Sequence, residues 1–250
     1  MKSLGFIIQA RIGSSRLPSK ILLPFFEKKS IFDLLIEKLQ SNFSLPVILA
    51  TSQNKENDIL EQTALEKDIL IYRGSENDVL GRFICAANEF NINKIIRICS
   101  DNPFLNIDEL KKLIHFSENN NFDYVSFNVD KIPSIKTHFG FWAEFVTLQT
   151  LEKVNSFTVF PLYHEHVTNF IYENPDIFNI HFLEPNKKVL GRKDIRMTLD
   201  TEQDFKLLSE IYNKISKKKH DFGIDEILDF LDNNPDYKKQ MINQINNNIK

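Results

Sequence analysis

Short apolar runs alternate with helical patterns through the first 130 residues, and this rhythm limits the fold more than any other feature of the chain. Leu4 to Ala10 reads as a continuous apolar strand, and Ile31 to Leu39 has helical spacing. Val47 to Ala50 is strand-like again, followed by a helical Asp58 to Glu66. Ile69 to Tyr72, Asp78 to Phe90, Lys94 to Ile98, Glu109 to Phe116 and Tyr124 to Phe127 continue the alternation. Strands without a polar face must be covered on both sides, so this order implies a parallel sheet between layers of helices. Ligands of such sheets sit beyond the carboxyl ends of the strands, which is where charged loops deserve inspection.

The alternation stops near Asp130. Beyond it the sequence predicts a longer strand-like stretch over Thr137 to Val146 and a helix over Phe160 to Glu173, entered through Pro161. Strands are expected at Ile177 to Leu183 and Asp194 to Thr198, then helices at Thr201 to Ser216, Asp225 to Leu231 and from Pro235 onward. Asn119 to Asn121 reads as a loop, and Asn246 to Lys250 as a fraying end. There is no repeat and no low-complexity linker, so one domain over residues 1–250 is expected.

A formal charge of −3 supplies no basic field for nucleic acid or anionic lipid. The apolar run at the start is too short for a membrane span or a signal segment. Cys85 and Cys99 fit no zinc or disulfide spacing; they read as buried core thiols in a cytoplasmic protein.

The first strand runs into A-R-I-G-S-S-R-L-P-S-K, Ala10 to Lys20. Backbone amides, hydroxyls, an arginine fork and a lysine point charge within so few residues are the groups that bind several phosphates together. The spacing is neither a Walker A loop nor a Rossmann fingerprint, since Gly13 stands alone. By composition alone, a solvated surface turn is an equal reading.

The string Q-A-R-x-G-S-S-R-L-P-x-K resembles the opening of cytidylyltransferases of the spore coat polysaccharide (SpsF-like) type, relatives of CMP-Kdo and CMP-sialate synthetases. The resemblance implies a GT-A-like, Rossmann-like nucleotidyltransferase fold: an α/β, mostly parallel sheet flanked by helices, with a small β-arm and a helical C-terminus. It implies that Ala10, Arg11, Gly13, Ser14, Ser15, Arg16 and Lys20 contact the CTP triphosphate and nucleotide. Residues 130–185 become the acceptor and dimerisation portion, and 201–250 the C-terminal helices.

Further segments extend the resemblance over nearly the whole chain. Leu49-Ala50-Thr51-Ser52 matches the family segment near the base, which makes Ala50 and Thr51 nucleotide candidates; a helix cap at Ser52 or Asn54 explains the same residues. R-G-S-E-N-D-V-L-G-R-F, Arg73 to Phe83, makes Arg73, Asp78 and Arg82 nucleotide-side residues, where Asp78 and Arg82 are otherwise a helix-start pair. Asp101, in R-I-C-S-D-N-P-F-L, resembles the family's metal-holding Asp, and Asp200, in R-M-T-L-D-T-E-Q-D-F, the second one. A turn start and a helix cap are the bland alternatives. F-G-F-W-A-E-F and Y-H-E-H-V-T make Glu144, Glu165 and His166 residues that face the acceptor or order its pocket. The family often has Asp at the place of Trp142 and Arg at that of His164, and Ser100 and Asn106 also depart from its pattern.

Attack on the α-phosphate builds negative charge, and Mg²⁺ held by one or two carboxylates plus phosphate oxygens offsets it. The expected activity is Mg²⁺-dependent transfer of CMP from CTP to a sugar acid or phosphorylated small molecule, with pyrophosphate leaving. Arg11, Lys20, Asp101 and Asp200 are the expected catalytic set, and a homodimer through Phe139 to Val146 is the expected assembly. A GT-A glycosyltransferase would carry a D-x-D motif where this chain has Asp101-Asn102-Pro103. A nucleotide-binding module without turnover is the third possibility, and both retained aspartates speak against it.

Overall fold

The computed structural model describes residues 3–13, 16–219 and 221–247. Ser14 and Ser15 therefore lie outside the described residues. The elements in order are β1 (Ser3–Gln9), β2 (Pro24–Phe26), β3 (Lys29–Ser30), α1 (Ile31–Asn42), β4 (Val47–Ser52), α2 (Asp58–Glu66), β5 (Leu70–Gly74), α3 (Val79–Glu89) and β6 (Ile92–Cys99). They continue with α4 (Ile107–Asn119), β7 (Tyr124–Val129), β8 (Ile132–Pro133), β9 (Glu144–Thr147), α5 (Leu148–Phe157), α6 (Pro161–Glu165) and α7 (Asn169–Glu173). The last are β10 (Ile180–Leu183), α8 (Glu202–Ser216), α9 (Ile224–Asp232) and α10 (Pro235–Asn247).

The main sheet has the order β10-β7-β9-β6-β1-β4-β5, with β8 paired to β7 off this path. β1 lies parallel to β4 and β6, with Gln9 opposite both Ala50 and Cys99. This register brings the carboxyl ends of three strands to one edge. Phe6 and Ile8 enter the core on one face and Ile7 on the other, the period-two split that a doubly covered strand requires. Each such fully buried side chain contributes about 1.5–3 kcal/mol. The C-terminal helices join the first of these cores through residues such as Leu208, Ile211, Leu228 and Met241.

Local chemistry sets several boundaries. Ser30 and Asp33 form a reciprocal capping box on α1, and Thr201 with Asp204 forms another on α8. Glu27 and Lys28 both take left-handed φ between β2 and β3, and Asp130 and Lys131 do so between β7 and β8. These are tight two-residue hairpins built without the usual Asn-Gly signal, so the sequence pattern does not announce them.

Four expectations are corrected. Thr137 to Val146 is a strand only in β9, which runs antiparallel between β6 and β7. Gly140 has φ +63, and a Cβ there would sit 2.9 Å from the Met197 carbonyl, so the extended run breaks at that residue. Phe139, Phe141 and Trp142 pack on one another inside the chain's own core. Phe160 to Glu173 forms α6 and α7 with a break at His166 to Thr168, where buried Thr168 turns inward to hydrogen bond Glu144 at 3.0 Å. Asp194 to Thr198 is buried from Ile195 onward but makes no ladder; the Met197 and Thr198 amides donate instead to the His138 carbonyl. Cys85 sits on α3 as expected but is exposed, because its position falls on the solvent side of the helix.

Candidate active site

The loop after β1 is shaped by its backbone. Ser19 takes a left-handed φ of 57 and donates its amide to the Ile12 carbonyl at 3.1 Å, which folds Arg16 to Lys20 back over the end of β1. The Ile12 amide donates to Asn57 Oδ1 at 2.9 Å, and Asn57 Nδ2 reaches Ser52 Oγ at 2.8 Å. Asn57 is fully buried and ties the β1 loop to the end of β4. No motif singled it out, because a lone Asn before a helix reads as a cap.

The fold-back aims Lys20 across the sheet edge. Its Nζ donates to Asp101 Oδ2 at 3.1 Å and to the Leu199 carbonyl at 2.6 Å. The Leu199 amide in turn donates to the Asp101 carbonyl. Asp101 and Asp200, far apart in sequence, are thereby stitched to the same place. Arg196 donates to Asp200 Oδ2 at 2.7 Å, and Arg16 approaches Asp200 Oδ1 at 3.7 Å.

Two cavities share this edge. One of about 340 Å³ is lined by Ala10, Arg11, Gly13, Arg16, Lys20, Asp101, Glu165, His166 and Asp200 among others. The second, about 480 Å³, shares Arg16, Arg97, Asp101, His166 and Asp200 and extends to Lys136, Trp142, Thr168, Tyr172 and Thr198. Thr198 Oγ1 is buried there without a protein hydrogen-bond partner. Arg11 pairs with Glu76 at 3.1 Å and approaches Glu165 at 3.6 Å. Burial alone would raise the Glu76 carboxyl, but the bonds from Ser52 and Arg11 outweigh it and hold it below its ordinary value.

The remaining candidates divide. Thr51 is wholly buried with an unpartnered hydroxyl, and Ala50 accepts the Ala10 amide through its carbonyl. Asp78 caps α3 by accepting from the Gly81 amide at 2.8 Å. Arg82 is buried and bonds the Ser75 carbonyl, leaving Nε and Nη2 without protein partners; desolvation holds its pKa below the usual arginine value. Arg73 lies apart from both cavities. It pairs with Asp58 and Glu61 and donates to the Ser52 and Asn54 carbonyls, so it clamps the turn after β4.

Glu144 lines neither cavity. It is buried beneath them and accepts from Arg97, Tyr124 and Thr168, so it orders the floor instead of facing an acceptor. Desolvation favours a neutral Arg97, but Cys99 and Glu144 outweigh that and leave its pKa raised. Asp204 is likewise consumed: it accepts from Arg196, from the Asp200 and Thr201 amides and from the Thr201 hydroxyl. Burial alone would raise its pKa, and Arg196 with those amides brings it below 3.8. Asp204 holds Arg196, and Arg196 holds Asp200.

A family model described as "Cytidylyltransferase" matches residues 5–241. This chain belongs to the cytidylyltransferase family. It is 38% identical to an uncharacterized protein of Methanocaldococcus jannaschii over 100% of this chain and 96% of that one. It is also 30% identical to the spore coat polysaccharide biosynthesis protein SpsF of Bacillus subtilis, over 94% and 97%. A cytidylyltransferase structure from Leptospira borgpetersenii superposes with TM-score 0.83 at 26% identity, covering 95% of this chain and 97% of that one. A CMP-Kdo synthetase solved with CTP shares the fold at TM-score 0.61 and 13% identity, over 84% and 98%. The cytidylyltransferase is thus a nucleotidyltransferase that uses CTP, with the mostly parallel nucleotidyltransferase sheet. Among the described residues no helix is long and apolar enough to cross a membrane.

Proposed function

We propose that the cytidylyltransferase transfers CMP from CTP to a sugar acid or a phosphorylated small molecule, releases pyrophosphate, and serves surface polysaccharide or glycan synthesis. The observation that carries the reading is the meeting of Asp101 and Asp200 with Lys20 and Arg16 at one cavity wall. The smaller cavity has the cations for a triphosphate, and the larger one adjoins it with hydroxyls, Lys136 and aromatic faces suited to a sugar. The likeness to SpsF, a spore coat polysaccharide biosynthesis protein, supports the pathway.

In this reading Arg11, Arg16 and Lys20 bind and orient the phosphates, compensating charge as the α-phosphate is attacked in line. Each starts on a carboxylate: Arg11 on Glu76 and Glu165, Arg16 on Asp200, Lys20 on Asp101. An arriving triphosphate exchanges those partners, which releases Asp101 from Lys20 and Asp200 from Arg16 while Arg196 keeps its hold on Asp200. Two carboxylates facing one cavity fit Mg²⁺, and Asp101 and Asp200 would hold it. Bound there, the ion would neutralise charge on the phosphate oxygens. A cytoplasmic location belongs to the same reading; among the described residues there is no disulfide.

The test is pyrophosphate release with each nucleoside triphosphate, Mg²⁺ and a panel of sugar acids and phosphorylated sugars. Release with CTP and one acceptor class is expected. Tight CTP binding with no release under any acceptor would sink the proposal, and so would equal turnover with UTP or ATP.

A further inference from the structure

α6 has five residues and none of them is buried, so helix propensity and core packing hold it weakly; Tyr163 meets the Phe170 ring edge-on and donates to Glu173 at 3.2 Å, both on α7. Yet its end supplies Glu165 and His166 to the cavity that holds Arg11 and Lys20. The side chain that ties it to the start of α3 is His164. Its Nδ1 lies 2.8 Å from Asp78 Oδ1, and its Nε2 lies 2.9 Å from the Thr158 carbonyl. Both neighbours are acceptors only: a carboxylate and a carbonyl. A neutral imidazole has one N–H and satisfies one of them, whereas an imidazolium donates to both.

We propose that His164 is a positioning residue: as an imidazolium bridging Asp78 and the Thr158 carbonyl, it fastens α6 to the start of α3 and thereby sets Glu165 and His166 in the cavity wall. The fastening loosens when the ring loses its proton. The elements that meet at the ring carry these charged or titratable groups in the adjoining turns: Asp78 and Arg82 from the α3 side, and Tyr163, Glu165 and His166 from its own segment. Of these Asp78 bonds the ring directly. Desolvation lowers the ring's pKa, but the bonds to Thr158 and Asp78 outweigh it and leave it above 6.5. With the folded pKa raised, the fastening is fully present below about 6.5 and is lost as pH rises through the folded value.

The fastening stands on geometry alone; its consequence for turnover rests on the CTP reading. Amide hydrogen exchange of residues 158–166 is to be compared between the wild type and His164→Arg at each pH from about 6 to about 9. The arginine keeps two donors at every pH, and the ratio cancels the intrinsic rate. The ratio is expected near unity at the acid end and on the order of 5-fold faster exchange for the wild type at the alkaline end. A ratio that stays flat across the range overturns the proposal. NMR titration of the His164 ring in the wild type gives a second measure that needs no variant. A ring pKa at or below about 6.5 overturns the proposal as well.

With CTP turnover in hand, KM for CTP should rise with pH in the wild type and stay level in His164→Arg, with kcat changing less. If no nucleoside triphosphate is turned over, the CTP reading fails and the exchange ratio still decides the role of His164.

Discussion

Two buried arginines, Arg97 and Arg196, each hold carboxylates beneath the same edge of the sheet, and they do so to opposite ends. Arg97 meets Glu144 across the sheet, because the antiparallel register of β6 and β9 puts the two residues opposite each other. Tyr124 and Thr168 take up what remains of that carboxylate, and it never reaches a cavity. Arg196 meets Asp200 and Asp204 four and eight residues further along the chain. There one acid is consumed and the other is presented: Asp204 caps α8 and grips the arginine, while Asp200 lines both cavities. An acidic residue in a family-like motif is therefore not yet an acid in a site. The number of donors already pointed at it decides.

The contrast breaks or sharpens under substitution, and the largest expected effect is at Glu144. Glu144→Ala strands Arg97 without its carboxylate in the core and should cost about 3–5 kcal/mol in urea unfolding. A stable variant that lost only acceptor affinity would show that Glu144 belongs to the site after all. Next come Asp101→Asn and Asp200→Asn, expected to lower kcat about 10²–10³-fold while the urea midpoint hardly moves. Wild-type turnover in either variant would remove it from the catalytic set.

Asp204 gives a pH signature. Its folded pKa is depressed, so its contribution is present above about 3.8 and is lost as pH falls through the lower folded value. Asp204→Asn should reduce stability at neutral pH by about 1–3 kcal/mol and flatten the acid limb of the unfolding curve. An unchanged acid limb would argue that Arg196 is held by Asp200 alone. The smallest effect is expected at Arg73. Its pairs with Asp58 and Glu61 are partly solvated, so Arg73→Ala should cost about 1 kcal/mol or less. KM for CTP should change less than about 2-fold; a rise of about 10-fold would return Arg73 to the nucleotide side.

The cleft was legible where function rides on local chain geometry. Arg11 and Asp101 follow β1 and β6 directly, and apolar runs mark those strands. Asp58 to Glu66 is helical between the boundaries its pattern implies, since polar N-terminal and apolar internal residues agree with the helix period. Over residues 137–146, 160–173 and 194–198 the pattern misleads, because hydrogen bonds there go to distant partners, whereas the C-terminal helices form where their period puts them. Residues 194–198 alternate in sequence like a strand, yet the Met197 and Thr198 amides answer to His138 and the Arg196 amide to Met241, not to a ladder. Asn57 and Glu76 were missed for the same reason: what they hold, Ile12 and Arg11, lies far away in sequence.

By itself the sequence determined the layered α/β sheet, the cationic loop at the end of its central strand, and membership of the cytidylyltransferase family. Period and motif are local properties, and a linear string carries them in full. Only the tertiary structure decided which carboxylates remain for chemistry. Lys20 and the Leu199–Asp101 backbone bond bring Asp101 and Asp200 to one wall, while the pairing of β9 with β6 buries Glu144. That choice depends on the count of donors around each oxygen after packing, and donors arriving from other strands leave no spacing in the sequence to read.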